Sequence, residues 1–229
     1  MTSQPEVQVD SKIDLTGALV VNCFPSLGFV SSIVAHYLVD KLELKLVGGV
    51  RHPSLPAVCL VQDGMPLPPL RFYAGEPICN MEECNRVVLI ASEIQVAPEL
   101  CLPLAGSLID WIKECNASAT IMIDAYSPGI ENKHTIFDED DSDGSLLGIG
   151  AILESHKILK ELQVPLLKQG IVGGMTGVMS PRHISDSSLT KVARCGANDA
   201  ATEDLIFCLN FSFAAASPSE AVTVHSYSS

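Results

Sequence analysis

Two carboxylates and a run of glycines are the residues best placed for chemistry. Glu93 follows the apolar run Val87-Val-Leu-Ile-Ala91, and Asp124 closes the run Ala119-Thr-Ile-Met-Ile123. Such runs read as buried strands, and the carboxyl ends of strands are where open α/β sheets place functional side chains. Acids at those ends could transfer protons. Further on, Gly170-Ile-Val-Gly-Gly-Met-Thr-Gly177 follows the apolar stretch Pro165–Val172. Clustered glycines let a backbone approach a ligand or partner, and their N–H groups can hold an anion or a carbonyl. Gly173, Gly174 and Gly177 are therefore candidate cleft or interface residues. Pro25 and Gly28, in the turn Phe24-Pro-Ser-Leu-Gly28 after the run Ala18–Val21, complete the set.

The remaining equipment of an enzyme is missing from the pattern. The glycine run has no Lys-Ser or Lys-Thr after it, so it is not a Walker loop. Gly148-Ile-Gly150 starts a dinucleotide fingerprint, but the third glycine position holds Leu153. No G-x-S-x-G elbow occurs. The acidic run Asp138–Gly144 resembles a calcium loop until the twelfth position, where Gly150 stands in place of the bidentate Glu. The eight cysteines include no C-x-x-C pair, which argues against a zinc ribbon or a thioredoxin-type site. Cys23 and Cys59 lie in apolar runs and read as small core residues. His36 and His156 fall on expected helices and read as structural. No catalytic residue, metal or cofactor is expected.

Composition narrows the partners. The formal net charge is −13 with 14 Lys and Arg, which disfavours nucleic acid and suits a basic partner surface. Hydrophobic residues make up 47% and charged residues 18%, an apolar surplus that can cover an oligomer interface. The first residues lack the pattern of a signal peptide, and no run reaches the ~20 apolar residues of a membrane span. A cytoplasmic location is expected.

The elements that must position these residues alternate. A strand over 18–21, a helix with Leu27, Val30, Val34, Tyr37 or Leu38, and Lys41 or Leu42 on one face, and a strand over 44–50 predict a right-handed βαβ crossover. Short strands at 57–62 and 70–74 flank Asp63-Gly64 and a proline-rich connection, which predicts an inserted antiparallel hairpin over about 52–75. Pro98 can open a helix that runs through Cys115. Residues 125–144 read as a long polar loop, Leu146–Leu162 as an amphipathic helix and Pro165–Val172 as a short buried strand.

These segments, in this order, resemble a known family. Phe24-Pro-Ser-Leu-Gly-Phe-Val30 with Ala35-His-Tyr-Leu38 is similar to its opening motif. His52-Pro-Ser-Leu-Pro-Ala-Val58, Asp63-Gly64 and Pro69-Leu-Arg-Phe-Tyr-Ala74 resemble its hairpin. Val87–Gln95, Leu108-Ile-Asp-Trp-Ile112, Leu147-Gly-Ile-Gly150 and Gly173–Met179 complete the likeness, which covers roughly residues 16–179. The family is that of proteasome assembly chaperone 2, and the fit is closest to archaeal members. The resemblance implies oligomerisation, binding to proteasome α subunits or related complexes, and no established catalytic residues. One departure is the ending His225-Ser-Tyr227-Ser-Ser229. Proteasome-binding members often end in a hydrophobic residue, tyrosine and one more residue, whereas Tyr227 stands one place too early and Ser226 is polar.

The expected fold is a three-layer α/β domain over 17–180, with a mostly parallel sheet flanked by helices in the phosphorylase-like or Rossmann-like manner. A flexible tail over 1–16, able to add an edge strand, precedes it. An irregular segment over 181–229 with a possible helix at 198–209 follows. The expected function is a non-enzymatic, homo-oligomeric chaperone that binds proteasome subunits or related complexes, with no role for nucleic acid or membrane. The alternative is an enzyme of the nucleoside phosphorylase or hydrolase type, acting through Glu93, Asp124 and the glycine turn.

Overall fold

A computed structural model describes residues 4–26, 29–76, 86–125, 146–151, 153–185 and 206–211. Gly28, most of the polar loop over 125–144 including the acidic run, residues 198–205 and the ending 225–229 lie outside the described residues.

An eight-stranded sheet organises the chain. Its strands are β1 (Glu6–Val9), β2 (Leu19–Cys23), β3 (Lys45–Arg51), β6 (Leu70–Gly75), β7 (Val87–Ser92), β8 (Ala119–Asp124), β9 (Leu146–Leu147) and β10 (Ile206–Phe211). β4 (Leu60–Gln62) and β5 (Met65–Leu67) form a separate two-stranded hairpin. The order in the large sheet is β1-β3-β6-β7-β2-β8-β10-β9. Only β7–β2, β2–β8 and β8–β10 pair in parallel, and the other four pairings are antiparallel. The expectation of a mostly parallel sheet is therefore corrected. The antiparallel half arises because β6, expected as an arm of the hairpin, runs instead between β3 and β7. All residues from Leu70 to Ala74 are buried, which a central strand covered on both faces requires and a protruding hairpin arm does not.

The hairpin itself is shorter than expected. Asp63 and Gly64 both adopt positive φ (49° and 76°), the backbone of a two-residue type I′ turn between β4 and β5. β3 points the same way as β2 but is separated from it by β7 and β6, so the first crossover spans two intervening strands.

The expected flexible N-terminal tail contains β1, which pairs antiparallel with β3 and packs Val7 and Val9 onto the core. The expected helix at 198–209 is overturned over 206–209, which belong to β10, parallel to β8. Ile206-Phe-Cys-Leu favours a strand, and the free edge of β8 offers it a ladder.

The helices are α1 (Val30–Lys41), α2 (Pro98–Glu114), α3 (Leu153–Glu161) and α4 (Gly174–Ser185). α2 starts where expected, with Pro98 at its first turn and Leu100, Leu104, Leu108 and Ile112 on its buried side. Each such leucine contributes about 1.5–3 kcal/mol of burial. Together with Val20, Phe72, Val88, Ile90 and Met122, they fill the core on one face of the sheet, where Phe72 and Trp111 meet edge to face at 4.8 Å. α4 packs beside α2 and adds Met175 and Met179. The opposite face packs Val21, Cys23, Leu89 and Ile123 under Ala35, Val34 and Leu38 of α1.

The region after β8 departs from expectation. Leu146 and Leu147 are strand and α3 begins only at Leu153, because Gly148 and Gly150 lower helix propensity between them. The glycines let α3 close in: a Cβ on Gly148 would meet the Leu159 methyls at 2.5 Å, and one on Gly150 the His156 ring at 2.3 Å. Pro165–Val172 is not a buried strand. It makes one isolated bridge, Gly148 with Leu166, and leaves Ile171 89% exposed.

Candidate functional site at the carboxyl edge of the sheet

The parallel centre of the sheet brings the carboxyl ends of β7, β2 and β8 to one edge. From β2 the chain turns to α1 on one face, and from β7 it turns to α2 on the other. Such a divergence opens a crevice between the two connections. A cleft of about 360 Å³ lies there, walled by Phe24 and Pro25 after β2, Gln95 and Val96 before α2, Pro98 and Cys101 in α2, and Gly174, Met175 and Val178 of α4. Its side chains are apolar apart from the Gln95 amide and the Cys101 thiol, and backbone polar atoms make up part of the wall. The first turns of α2 and α4 both border it.

Of the candidates, Pro25 and Gly174 line this cleft. The glycine run is less a turn than the start of α4. Gly174 takes φ +61°, and Gly177 sits where a Cβ would lie 2.2 Å from the Val172 carbonyl oxygen. Gly173 is open: a Cβ there would meet nothing within 4 Å, and its carbonyl accepts the Gly177 N–H at 3.0 Å.

The two acids are engaged elsewhere and with different elements. Glu93 accepts from the Arg71 guanidinium and stands 3.2 Å from His36 Nε2. Arg71 is 1% exposed, and it also donates to the Tyr73 hydroxyl at 2.9 Å and the Pro68 carbonyl at 3.2 Å. Burial by itself would lower the Arg71 pKa; the Glu93 hydrogen bond and charge reverse this and leave it raised. Asp124 accepts from the Ala125 N–H at 2.8 Å and from the Thr176 hydroxyl on α4. Burial raises its pKa, and these two hydrogen bonds oppose the rise. Glu93 thus ties β7 to β6 and α1, while Asp124 ties β8 to α4.

Sequence reasoning missed Arg71 as the partner of Glu93, because an arginine in a strand gives no sign of which acid it will meet 22 residues later. It also missed Ser31, which is buried and donates to the Ile123 carbonyl at 2.7 Å, pinning α1 to β8. Three of the described thiols are held protonated rather than activated. Burial pushes Cys23 up to about 12 and Cys115 up to about 11, and burial with the Glu99 charge raises Cys101. Cys59, expected in the core, is exposed beside the hairpin. Among the described residues, no three His, Cys, Asp or Glu side chains gather as a metal site. No helix there is long and apolar enough to cross a membrane.

Residues 20–183 match the PAC2 family. The chain belongs to that family. A curated relative, the uncharacterised protein MJ0106 of Methanocaldococcus jannaschii, is 22% identical over 169 residues; these are 73% of this chain and 61% of the relative. The chain thus spans less than two thirds of the curated relative it matches. Among solved structures, the fold is similar to Pyrococcus furiosus PbaA, an archaeal homologue of proteasome-assembly chaperone, with a TM-score of 0.71 at 23% identity over 93% of this chain and 74% of that one. It is also similar to PbaB of the same organism, an archaeal proteasome activator, with a TM-score of 0.64 at 13% identity over 91% and 80%.

Proposed function

We propose that this PAC2-family chain is a non-enzymatic, chaperone-like protein of the cytoplasm that binds proteasome subunits or related complexes and works as a homo-oligomer. Family membership and the likeness to PbaA and PbaB support this reading. The observation that carries it is the cleft at the carboxyl edge. Most of its side chains are apolar and none is charged, and neither Glu93 nor Asp124 lines it. Both acids hold structure together instead, through Arg71 and Thr176. Among the described residues no charged side chain lines the cleft to hold a phosphate, and its apolar side chains suit an apolar segment of a protein.

Affinity capture from native lysate, read by mass spectrometry, tests the proposal. The expected result is retention of proteasome α subunits by the wild type and a marked loss with Val178→Arg, which fills the cleft. Capture of no α subunit and no other proteasome-related complex sinks the reading. An enzyme would instead show thermal shifts with nucleosides or phosphate that vanish in Glu93→Gln and Asp124→Asn.

A further inference from the structure

The large sheet ends on one side at β1, whose one strand partner among the described residues is β3. In an antiparallel pair, alternate residues turn their polar backbone groups toward the neighbour and away from it. Asp10 continues the ladder, its N–H donating to the Val47 carbonyl at 2.9 Å. By that alternation Gln8 with Gly49 and Glu6 with Arg51 exchange the hydrogen bonds between β1 and β3. The N–H and C=O groups of Val7 and Val9 therefore point away from β3, along an unpaired edge. Pro5, which has no N–H, marks where that edge begins. The opposite edge, β9, is two residues long and offers far less backbone.

Helix α2 turns the β1 edge into a groove. It contacts both α4 and β1, and the cleft described above lies on its α4 side. On its β1 side lies a second space of about 550 Å³, bordered by Val7, Leu102, Pro103, Asp110, Trp111 and Glu114. Leu102 is 54% exposed, and Val7 and Val9 pack toward the core that α2 covers. Asp110 and Glu114 stand one turn apart on α2 and are both exposed. Neither is in a salt bridge among the described residues. No lysine or arginine borders the space, and Lys113, the lysine of α2, is engaged elsewhere. Like charges spaced by one turn destabilise a helix unless a cation joins them.

We propose that this groove receives an extended segment of a partner protein with Lys or Arg at alternate positions, added to the sheet antiparallel to β1. Backbone and charge select the same occupant. Residues set opposite Val7 and Val9 in an antiparallel pair send their N–H and C=O groups to the free edge and their side chains toward α2. Long basic side chains at those positions lay their stems over Leu102 and Trp111 and carry their charges to Asp110 and Glu114. A chain of net charge −13 attracts a basic segment and repels acidic ones. This contact goes beyond the proposed function, because it uses neither the cleft nor a second copy of the chain.

Trp111 is the one tryptophan of the chain, so its fluorescence reports directly on the groove. The probe is a capped hexapeptide alternating arginine and threonine. It should change the Trp111 emission saturably, and the glutamate–threonine counterpart should not. Asp110→Asn combined with Glu114→Gln, at exposed positions that leave the circular dichroism spectrum unchanged, should weaken binding about tenfold. N-methylation of the arginine amides, which face β1, should weaken it at least about tenfold, whereas N-methylation of the threonine amides, which face away, should leave it within about twofold. Equal losses from the two methylated peptides mean charge attraction without strand addition and overturn the proposal. Binding unchanged in the double variant, or no saturable change with the arginine peptide, overturns it as well. A loss in Val178→Arg but not in the double variant places the peptide in the cleft and refutes the groove alone.

Discussion

The guanidinium of Arg71 is buried on β6 and donates to the carboxylate of Glu93, which stands just past the end of β7. With the Tyr73 hydroxyl and the Pro68 carbonyl as further acceptors, the charge leaves water with its donors engaged. Glu93 in turn meets His36, so one carboxylate joins the antiparallel half of the sheet to α1. Removing it strands a charge that the fold cannot expose.

Glu93→Ala should therefore destabilise the protein. Breaking a fully buried pair costs about 3–5 kcal/mol. The Glu93 side chain is 22% exposed, so water reaches it and about 2–3 kcal/mol is expected. Urea unfolding measures this. The double substitution Arg71→Met with Glu93→Gln should cost less than the sum of its parts, because it leaves no unpaired charge. A Glu93→Ala effect below about 0.5 kcal/mol, the range of ordinary surface changes, contradicts the structural role.

Asp14 and Asp124 should give opposite pH signatures. The Arg86 hydrogen bond, with the Thr16 N–H, lowers Asp14 from 3.8 to about 2. The unfolded chain binds that proton more readily, so this contribution is full above pH 3.8 and is lost as pH falls toward 2. Asp14→Asn should flatten the wild-type loss of stability in that window. Burial raises Asp124 above 3.8, so its ionisation disfavours the fold as pH climbs through the raised value. Relative to wild type, Asp124→Asn should gain stability from below pH 3.8 to neutrality. Urea midpoints across pH test both, and parallel curves for wild type and Asp124→Asn would remove burial as the controlling cause.

The three glycines before and within α4 should separate on substitution by alanine. Gly173 has negative or extended φ and open space around its Cβ position, so Gly173→Ala is tolerated or adds about 0.4–1 kcal/mol. Gly174 takes φ +61°, which costs an alanine about 1–2 kcal/mol. Gly177→Ala places a methyl against the Val172 backbone oxygen and should lower the melting temperature most. Thermal melts of the three variants check the order.

Cysteine labelling should follow exposure and acidity. Cys59 is exposed, whereas Cys23 is buried with its thiol pushed up to about 12. Native protein treated with maleimide at neutral pH should modify Cys59 first and Cys23 only after denaturant is added, as resolved peptide by peptide. Equal rates would place β2 outside the core.

Much of the framework was legible. The runs at 19–23, 87–92 and 119–124 are apolar enough to be buried on both faces, and Pro98 with Leu100, Leu104 and Leu108 spells a helix at 3.6 spacing. The strand ends bearing Glu93 and Asp124 followed from those runs. Less legible was the region after Leu146, where Gly148 and Gly150 interrupt a pattern that is otherwise helical.

By itself the sequence determined the local elements, the family motifs and the absence of a complete catalytic pattern, because each depends on residues near one another in the chain. The tertiary structure decided what lies beside what. It moved Leu70–Gly75 from the hairpin into the sheet, made the sheet mostly antiparallel, and engaged the two acids with Arg71 and Thr176 rather than with the cleft. Strand order and buried pairing depend on which distant segments exclude water together, and hydrophobic burial is not directional, so no local pattern specifies the partner.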